Sequence, residues 1–277
     1  MNYSKKKYIF FVLGLFLLLF VSSCKNEEDH SPCGRTDCSL TKTTYAENGI
    51  EQQIISQSYV IEGGKKLLSE TYWDILVSNT SIRVTNRYDN QARLIETFTT
   101  NTFNGGSNNS KITYEYDTSI PERVIKSTSY GNNNDIVAYS LYSYETLDKP
   151  IRQDFYNLQD EIVAHKELEY DLNGNLIKES DYQRNILTSL TTFSDYTAEG
   201  EWKIKTYENL RGQGLGVEKT TKTFENCTLK STLIETDGIF TSRSVNTIEG
   251  GLIASTQSFD STGNQINNET TYEYDCN

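Results

Sequence analysis

The feature of this sequence that most constrains its fold is a recurring pair, an aromatic or aliphatic residue followed by an acid. The pair occurs at Tyr88-Asp89, Tyr116-Asp117, Tyr144-Glu145, Tyr170-Asp171, Tyr207-Glu208, Phe224-Glu225, Ile248-Glu249, Phe259-Asp260 and Tyr274-Asp275. Other tyrosines fall between the early pairs and give a regular series, Tyr116, Tyr130, Tyr144, Tyr156, Tyr170, Tyr182 and Tyr196, with steps of 12 or 14 residues. A fixed period of this kind, 26–28 residues, indicates a repeat architecture.

One unit, residues 167–180, shows what each repeat predicts. Apolar and acidic residues alternate before its turn, so Leu168 and Tyr170 share one face of a strand. Asn173 and Gly174 form a two-residue hairpin signal, because both residue types tolerate a positive φ. Leu176 then opens a return strand. Each period therefore predicts two antiparallel strands and two turns.

Across residues 41–277 this period predicts an all-β fold, an antiparallel meander of about 16–18 strands curled into a solenoid-like or barrel-like sheet. The composition agrees, since the chain has 19 Tyr, 11 Phe and only 3 Pro. Aromatic and β-branched residues favour strands. Polar residues nevertheless dominate most strands, which predicts a thin core in which each strand buries at most one face.

Some of these units resemble the YD repeats of the RHS family. The similar segments are Tyr170-Asp171 with residues 174–177, Phe259-Asp260 with residues 263–266, and Tyr88-Asp89 with its following Arg-Leu-Ile. In that family the repeats build long β-sheet ribbons that wrap into shells or act as surface scaffolds. This chain is too short to enclose a toxin, so the resemblance implies the sheet architecture alone.

The first residues resemble a bacterial lipoprotein signal peptide. Residues 5–7 are all lysine, and Ile9 to Val21 is an apolar run that is short for a membrane-spanning helix. The segment Val21-Ser22-Ser23-Cys24 resembles a lipobox, which implies cleavage before Cys24 and lipidation of its thiol. The predicted organisation is a signal peptide at 1–23, a lipidated tether at 24–40 and a β-repeat domain at 41–277.

The location follows from the residues behind that cysteine. Lys25-Asn26-Glu27-Glu28-Asp29 resembles the export signal that sends lipoproteins of Bacteroidetes to the cell surface. The resemblance implies an outer-membrane, surface-exposed protein, and a periplasm-facing lipoprotein is the alternative. The mature chain would hold 23 Lys and Arg against 38 Asp and Glu, because only three lysines are removed. Such a charge excludes nucleic acid as a partner.

Four cysteines remain beyond the anchor: Cys33, Cys38, Cys227 and Cys276. An exported protein lies in a compartment that permits disulfides. Of the possible pairings we favour Cys33–Cys38 together with Cys227–Cys276, and unpaired thiols are the alternative. The spacing does not match the usual zinc pattern.

The sequence offers no convincing catalytic or metal-binding residue. His30 and His165 are the two histidines, and neither has the context of a catalytic triad. Asp171 opens a segment similar to a calcium loop, but Gly174 falls at the fourth position instead of the sixth. Residues 212–216 are glycine-rich without a phosphate-binding pattern. We therefore expect no enzyme activity, no cofactor and no metal.

Pairs of tyrosines two residues apart form the candidate binding residues. Such pairs lie on one strand face, and the candidate ligand platform consists of Tyr114, Tyr116, Tyr142, Tyr144 and Tyr170. The alternative is cross-strand packing of the same rings.

A barrel in lipid is excluded, because strands such as residues 217–224 have Lys, Glu or Thr on both faces. The sequence thus predicts a non-enzymatic scaffold or interaction lipoprotein, with a glycan-binding accessory lipoprotein as the alternative.

Overall fold

A computed structural model describes residues 38–145, 148–210 and 217–276, and the regular structure in these ranges is entirely β. Several features of the sequence analysis lie outside these described ranges: the predicted signal peptide, Cys24, His30, Cys33 and residues 212–216. The strands are β1 (Cys38–Glu47), β2 (Ile50–Glu62), β3 (Lys65–Ile75), β4 (Thr80–Tyr88), β5 (Leu94–Phe103), β6 (Gly106–Tyr116), β7 (Val124–Tyr130), β8 (Ile136–Tyr144), β9 (Pro150–Tyr156), β10 (Ile162–Tyr170), β11 (Leu176–Gln183), β12 (Ile186–Tyr196), β13 (Trp202–Asn209), β14 (Glu218–Glu225), β15 (Thr228–Thr236), β16 (Ile239–Glu249), β17 (Leu252–Phe259) and β18 (Gln265–Cys276).

Each strand pairs in antiparallel fashion with the next one in sequence, and β18 pairs with β1. The first and last strands are in register from Cys38 opposite Cys276 to Glu47 opposite Asn268. The sheet is therefore a closed barrel, and the predicted all-β meander of 16–18 strands is confirmed. β1 begins at Cys38, slightly before the predicted domain boundary at residue 41.

The barrel has two distinct ends. Odd-numbered strands begin at the end where Cys38 and Cys276 lie, and we call it the proximal end. Odd-numbered strands finish, and even-numbered strands begin, at the distal end. Because the meander is regular, its connections alternate between the two ends around the whole circumference.

The two faces of the wall differ in exposure. Ile82, at 7% relative exposure, lies on the face that also bears Tyr114 and the tyrosines that end the even-numbered strands. The opposite face bears cross-strand ion pairs, among them Arg83–Glu70 and Lys178–Glu169. We therefore assign the Ile82 face to the inside of the barrel.

The wall has almost no apolar core. Ile82 is the one hydrophobic residue in the described ranges that is buried, and no side chain there is fully buried. The other buried residues are small or polar: Thr44, Ser127, Thr128, Ser140, His165, Gly174, Ser180, Ser189 and Thr191. Stability must therefore depend on the closed hydrogen-bond ladder, which leaves no unpaired strand edge.

The turn at Gly174 differs from the sequence prediction. Gly174 has a φ of +77°, as predicted, but Asn173 does not have a positive φ. The loop runs from Asp171 to Asn175, whose backbone groups are joined by a 2.9 Å hydrogen bond. The two-residue turn was the wrong assignment here, because the Asp171 carboxylate stabilises a longer loop. Two-residue turns with two positive φ angles occur elsewhere, at Asn48-Gly49, Gly63-Gly64, Arg184-Asn185, Asn226-Cys227, Asp237-Gly238 and Gly250-Gly251.

The favoured disulfide pairing is also wrong. Cys38 is bonded to Cys276, so neither Cys33–Cys38 nor Cys227–Cys276 forms. Barrel closure explains the difference, because it places the first residue of β1 directly opposite the last residue of β18. Cys227, in the turn between β14 and β15, is disulfide-bonded as well.

Candidate interaction surface

A ring of tyrosines closes the inner face near the proximal end. Each of these tyrosines donates its hydroxyl to a backbone carbonyl of the preceding odd-numbered strand. Tyr116 donates to Leu94 at 2.9 Å, and Tyr144 donates to Val124 at 2.8 Å. Six such residues on the even-numbered strands β2 to β12, which we call the tyrosine ring, are Tyr59, Tyr88, Tyr116, Tyr144, Tyr170 and Tyr196.

Basic side chains also lie against the aromatic faces of several of these tyrosines. The Arg93 guanidinium lies 4.7 Å from the centre of the Tyr116 ring, and that of Arg123 lies 5.0 Å from Tyr144. Such contacts are cation–π interactions. Burial raises the pKa of Tyr116, and likewise that of Tyr144, to about 12. Burial raises the pKa of Tyr170 and Tyr196 to about 12 as well.

Tyr114 and Tyr142 lie one layer deeper along the inner face. The Tyr142 hydroxyl is 3.2 Å from Ser127 Oγ and accepts a hydrogen bond from the Gln153 amide at 3.1 Å. Burial raises the pKa of both tyrosines. The five residues of the candidate platform are thus gathered on the inner face, where their hydroxyls are bonded within the protein. This arrangement favours the packing alternative over a ligand platform.

An Asp that directly follows the aromatic residue of a repeat pair caps the turn. Asp171 Oδ1 accepts backbone N–H bonds from Asn173 at 2.9 Å and Asn175 at 2.8 Å. The bond from the Asn175 backbone is the leading cause that lowers the pKa of Asp171. Asp89, Asp117 and Asp260 cap their loops in the same way. The segment that resembled a calcium loop is therefore a capped hairpin, as its spacing indicated. No group of acids, histidines and cysteines within the described ranges is arranged to hold a metal ion.

Aromatic side chains on the outer face pack against each other. Tyr139 and Tyr156 stack with ring centres 4.8 Å apart, and His165 and Tyr182 stack at 4.3 Å. Tyr139 also donates to Asp160 at 2.8 Å. His165 is only 6% exposed, and its Nε2 lies 3.8 Å from a Glu167 oxygen. The sequence did not single out these cross-strand stacks, because the register that joins their strands is a tertiary property.

The exposed apolar side chains gather at the distal end. We define the distal rim as the turns at that end with the two strand residues on either side of each turn. Fourteen of the large hydrophobic residues exposed on the protein belong to it: Ile50, Leu76, Val77, Phe103, Ile136, Val137, Leu158, Ile162, Val163, Ile186, Leu210, Val217, Ile239 and Ile266. Only four described ones, Ile61, Ile125, Leu172 and Ile177, lie in the corresponding part of the proximal end.

These side chains are exposed to an unusual degree for isoleucine, leucine and valine. Ile239 is 71% exposed, Val77 is 68% exposed and Ile186 is 64% exposed. A concentration of exposed apolar groups in one region of a surface is typical of a binding site. A sequence signal for the rim does exist, because isoleucine directly follows the turn at positions 50, 136, 162, 186 and 239. None of these isoleucines was singled out from the sequence.

The described residues contain no helix of the length and apolarity that crossing a membrane would demand.

No protein-family description and no curated protein matches the sequence. Among solved structures, the barrel is similar to a porin-like protein from Bacteroides uniformis, with 10% identity and a TM-score of 0.47. That match covers 85% of this chain and 98% of the other. A structure of TcdB2-TccC3-TEV matches over 81% of this chain and 14% of the other, with 10% identity and a TM-score of 0.37. Likeness at this level assigns neither family nor function.

Proposed function

We propose that this protein is a lipid-anchored, non-enzymatic interaction module of the cell envelope that binds a partner through its distal rim. The observation that supports this function is the position of the rim, at the end opposite the point where the chain enters the barrel. Cys38 begins β1 at the proximal end. Lipid on Cys24 would therefore hold the proximal end towards the membrane and present the rim away from it.

The length of the tether is compatible with this arrangement. Residues 24–37 precede β1. Fully extended, a segment of that size spans at most about 50 Å, at roughly 3.3–3.6 Å per residue. A tether of this length keeps the first strand within about 50 Å of the lipid-bearing cysteine.

The chemistry of the outer face supports a barrel surrounded by water. The ion pair of Lys126 with Glu115 lies on that face, as do Arg83–Glu70 and Lys178–Glu169. Arg152 adds contacts to Asp154 and Glu167 on the same face. A barrel inserted in lipid needs an apolar outer band, and charged groups there are strongly unfavourable.

The anchor is tested by membrane fractionation of the Cys24→Ala variant. Loss of the lipid leaves the barrel without an attachment, so we expect the variant to move from the membrane fraction to the soluble fraction. Protease treatment of intact cells tests the location, because a surface-exposed chain is cleaved while a periplasm-facing chain is protected. Unchanged membrane partitioning of the variant would contradict the anchor.

The docking function is tested by photocrosslinking on intact cells. A photoreactive residue at Leu158, which is 58% exposed on the distal rim, should yield a discrete crosslinked partner. The matched control is Leu172, which is fully exposed in a proximal turn. Equal crosslinking from both positions, or none from Leu158, would argue against the distal rim as the docking surface.

A further inference from the structure

The net charge of the distal rim indicates what kind of surface its partner presents, and this inference rests on the proposed function. We infer that the rim binds a cationic amphipathic protein surface, one that sets Lys or Arg side chains beside apolar ones. Three features of the rim lead to this partner: its exposed apolar side chains, its many carboxylates, and its scarcity of basic residues.

Carboxylates outnumber bases on the described part of the rim by eleven to two. The acids are Glu47, Glu51, Asp74, Asp135, Asp160, Glu161, Glu208, Glu218, Glu235, Asp237 and Asp260, and the bases are Arg184 and Lys219. One of those bases, Lys219, lies 3.9 Å from Glu235 and so compensates an acid of the rim itself. The rim therefore has a negative potential around its apolar side chains.

The proximal end has more basic side chains than the distal rim. The same definition applied there gives fourteen acids and seven bases in the described ranges, and the bases are Lys65, Lys66, Arg87, Arg93, Arg123, Lys149 and Lys203. Several of them compensate acids nearby, as Arg93 does for Asp89 at 2.6 Å and Arg123 does for Asp148 at 3.4 Å. Both ends are therefore acidic, but the proximal end has one base for every two acids, whereas the distal rim has two bases for eleven acids and also carries most of the exposed apolar side chains.

Other occupants of the rim are disfavoured by the same charges. An anionic bilayer or a nucleic acid would be repelled. A second copy joined rim to rim would set like charges against each other, which opposes association. A basic amphipathic surface gains both apolar burial and favourable electrostatics, and the electrostatic part speeds its association.

Binding to two designed peptides tests this inference on the full-length protein in detergent. One is an amphipathic helix of leucine and lysine, and the other has glutamate in place of every lysine. We expect saturable binding of the lysine peptide, weakened by added salt, and no binding of the glutamate peptide. Glu47→Lys with Glu51→Lys, both at exposed positions, should weaken binding of the lysine peptide at least tenfold.

A second pair of variants separates the rim from the rest of the surface. Leu158→Asp with Ile186→Asp should reduce binding of the lysine peptide at least tenfold, whereas Leu172→Asp at the proximal end should leave it unchanged. Equal binding of both peptides, no binding of either, tight binding to anionic vesicles, or self-association that the rim variants abolish would each overturn the inference. None of those results would overturn the proposed function, which the fractionation and crosslinking experiments on cells test separately.

Discussion

At the scale of single residues, the tyrosine and the acid of a repeat pair have different roles. The tyrosine joins neighbouring strands, as Tyr144 does through its bond to the Val124 carbonyl. The acid stabilises the loop that follows, as Asp171 does through the backbone of Asn173 and Asn175. The sequence predicted that the tyrosines share a face. It could not predict their acceptors, which lie about 20 residues earlier on a neighbouring strand.

The raised pKa values of the tyrosine ring predict instability in alkali. Tyr116, Tyr144, Tyr170 and Tyr196 ionise near pH 12 in the folded state, against an ordinary value of 10.0. Between about pH 10 and 12 the unfolded chain therefore binds fewer protons, so the free energy of unfolding falls as pH rises. This contribution is fully present below about pH 10. We expect tyrosinate absorbance and loss of the β circular dichroism signal to rise together in that range.

A matched pair of variants controls this experiment. Tyr144→Phe should make the free energy of unfolding less dependent on pH above about 10, because one raised group is removed. Tyr72→Phe, at an outer-face position that is 38% exposed, is the matched control for loss of a tyrosine hydroxyl outside the tyrosine ring. Tyrosine titration close to pH 10 with the circular dichroism signal retained would contradict the prediction.

At the scale of elements, turn chemistry sets how each hairpin is built. A loop such as Asp171–Asn175 has one residue of positive φ and is preceded by a bulge at Tyr170. A turn such as Gly63-Gly64 has two residues of positive φ and joins its strands directly. The sequence predicted the number of strands and the role of Gly174. It missed the loop type, because the decisive interaction is made by the Asp171 side chain.

The conformation of Gly174 gives a prediction at this scale. Gly174→Val forces a β-branched residue to a φ of +77°, which should lower the free energy of unfolding by about 1–3 kcal/mol. Gly106→Val is the control, since that glycine has no positive φ and a Cβ there has space. Urea unfolding of both variants measures the difference. Similar stabilities for the two would count against the strained turn.

At the scale of the whole molecule, closure of the sheet provides the stabilisation that a large apolar core provides in other proteins. Few apolar groups are buried, yet every strand has a partner on both sides because β18 returns to β1. The Cys38–Cys276 bond covalently links the two strands that close the barrel. Closure also fixes the two ends, and with them the separation of the distal rim from the entry of the chain.

The disulfide bond between β1 and β18 gives the prediction that belongs to this scale. Cys38→Ser and Cys276→Ser should each lower the free energy of unfolding by roughly 2–5 kcal/mol, because the bond closes a loop across nearly the whole described chain. The double variant should cost no more than either single variant, since all three lose the same bond. Urea unfolding measures these free energies. A double variant as stable as the unaltered protein would show that the Cys38–Cys276 bond does not stabilise the barrel.

The sequence by itself determined the repeat, the all-β meander and the turn glycine, because strand alternation and turn chemistry are local properties. Only the tertiary structure decided that the sheet closes. That single event paired Cys38 with Cys276, turned Tyr114 and Tyr142 inwards, and gathered Leu158 and its neighbours into a rim. These features depend on contacts between residues far apart in the chain, and the periodicity of one strand does not determine which of those contacts form.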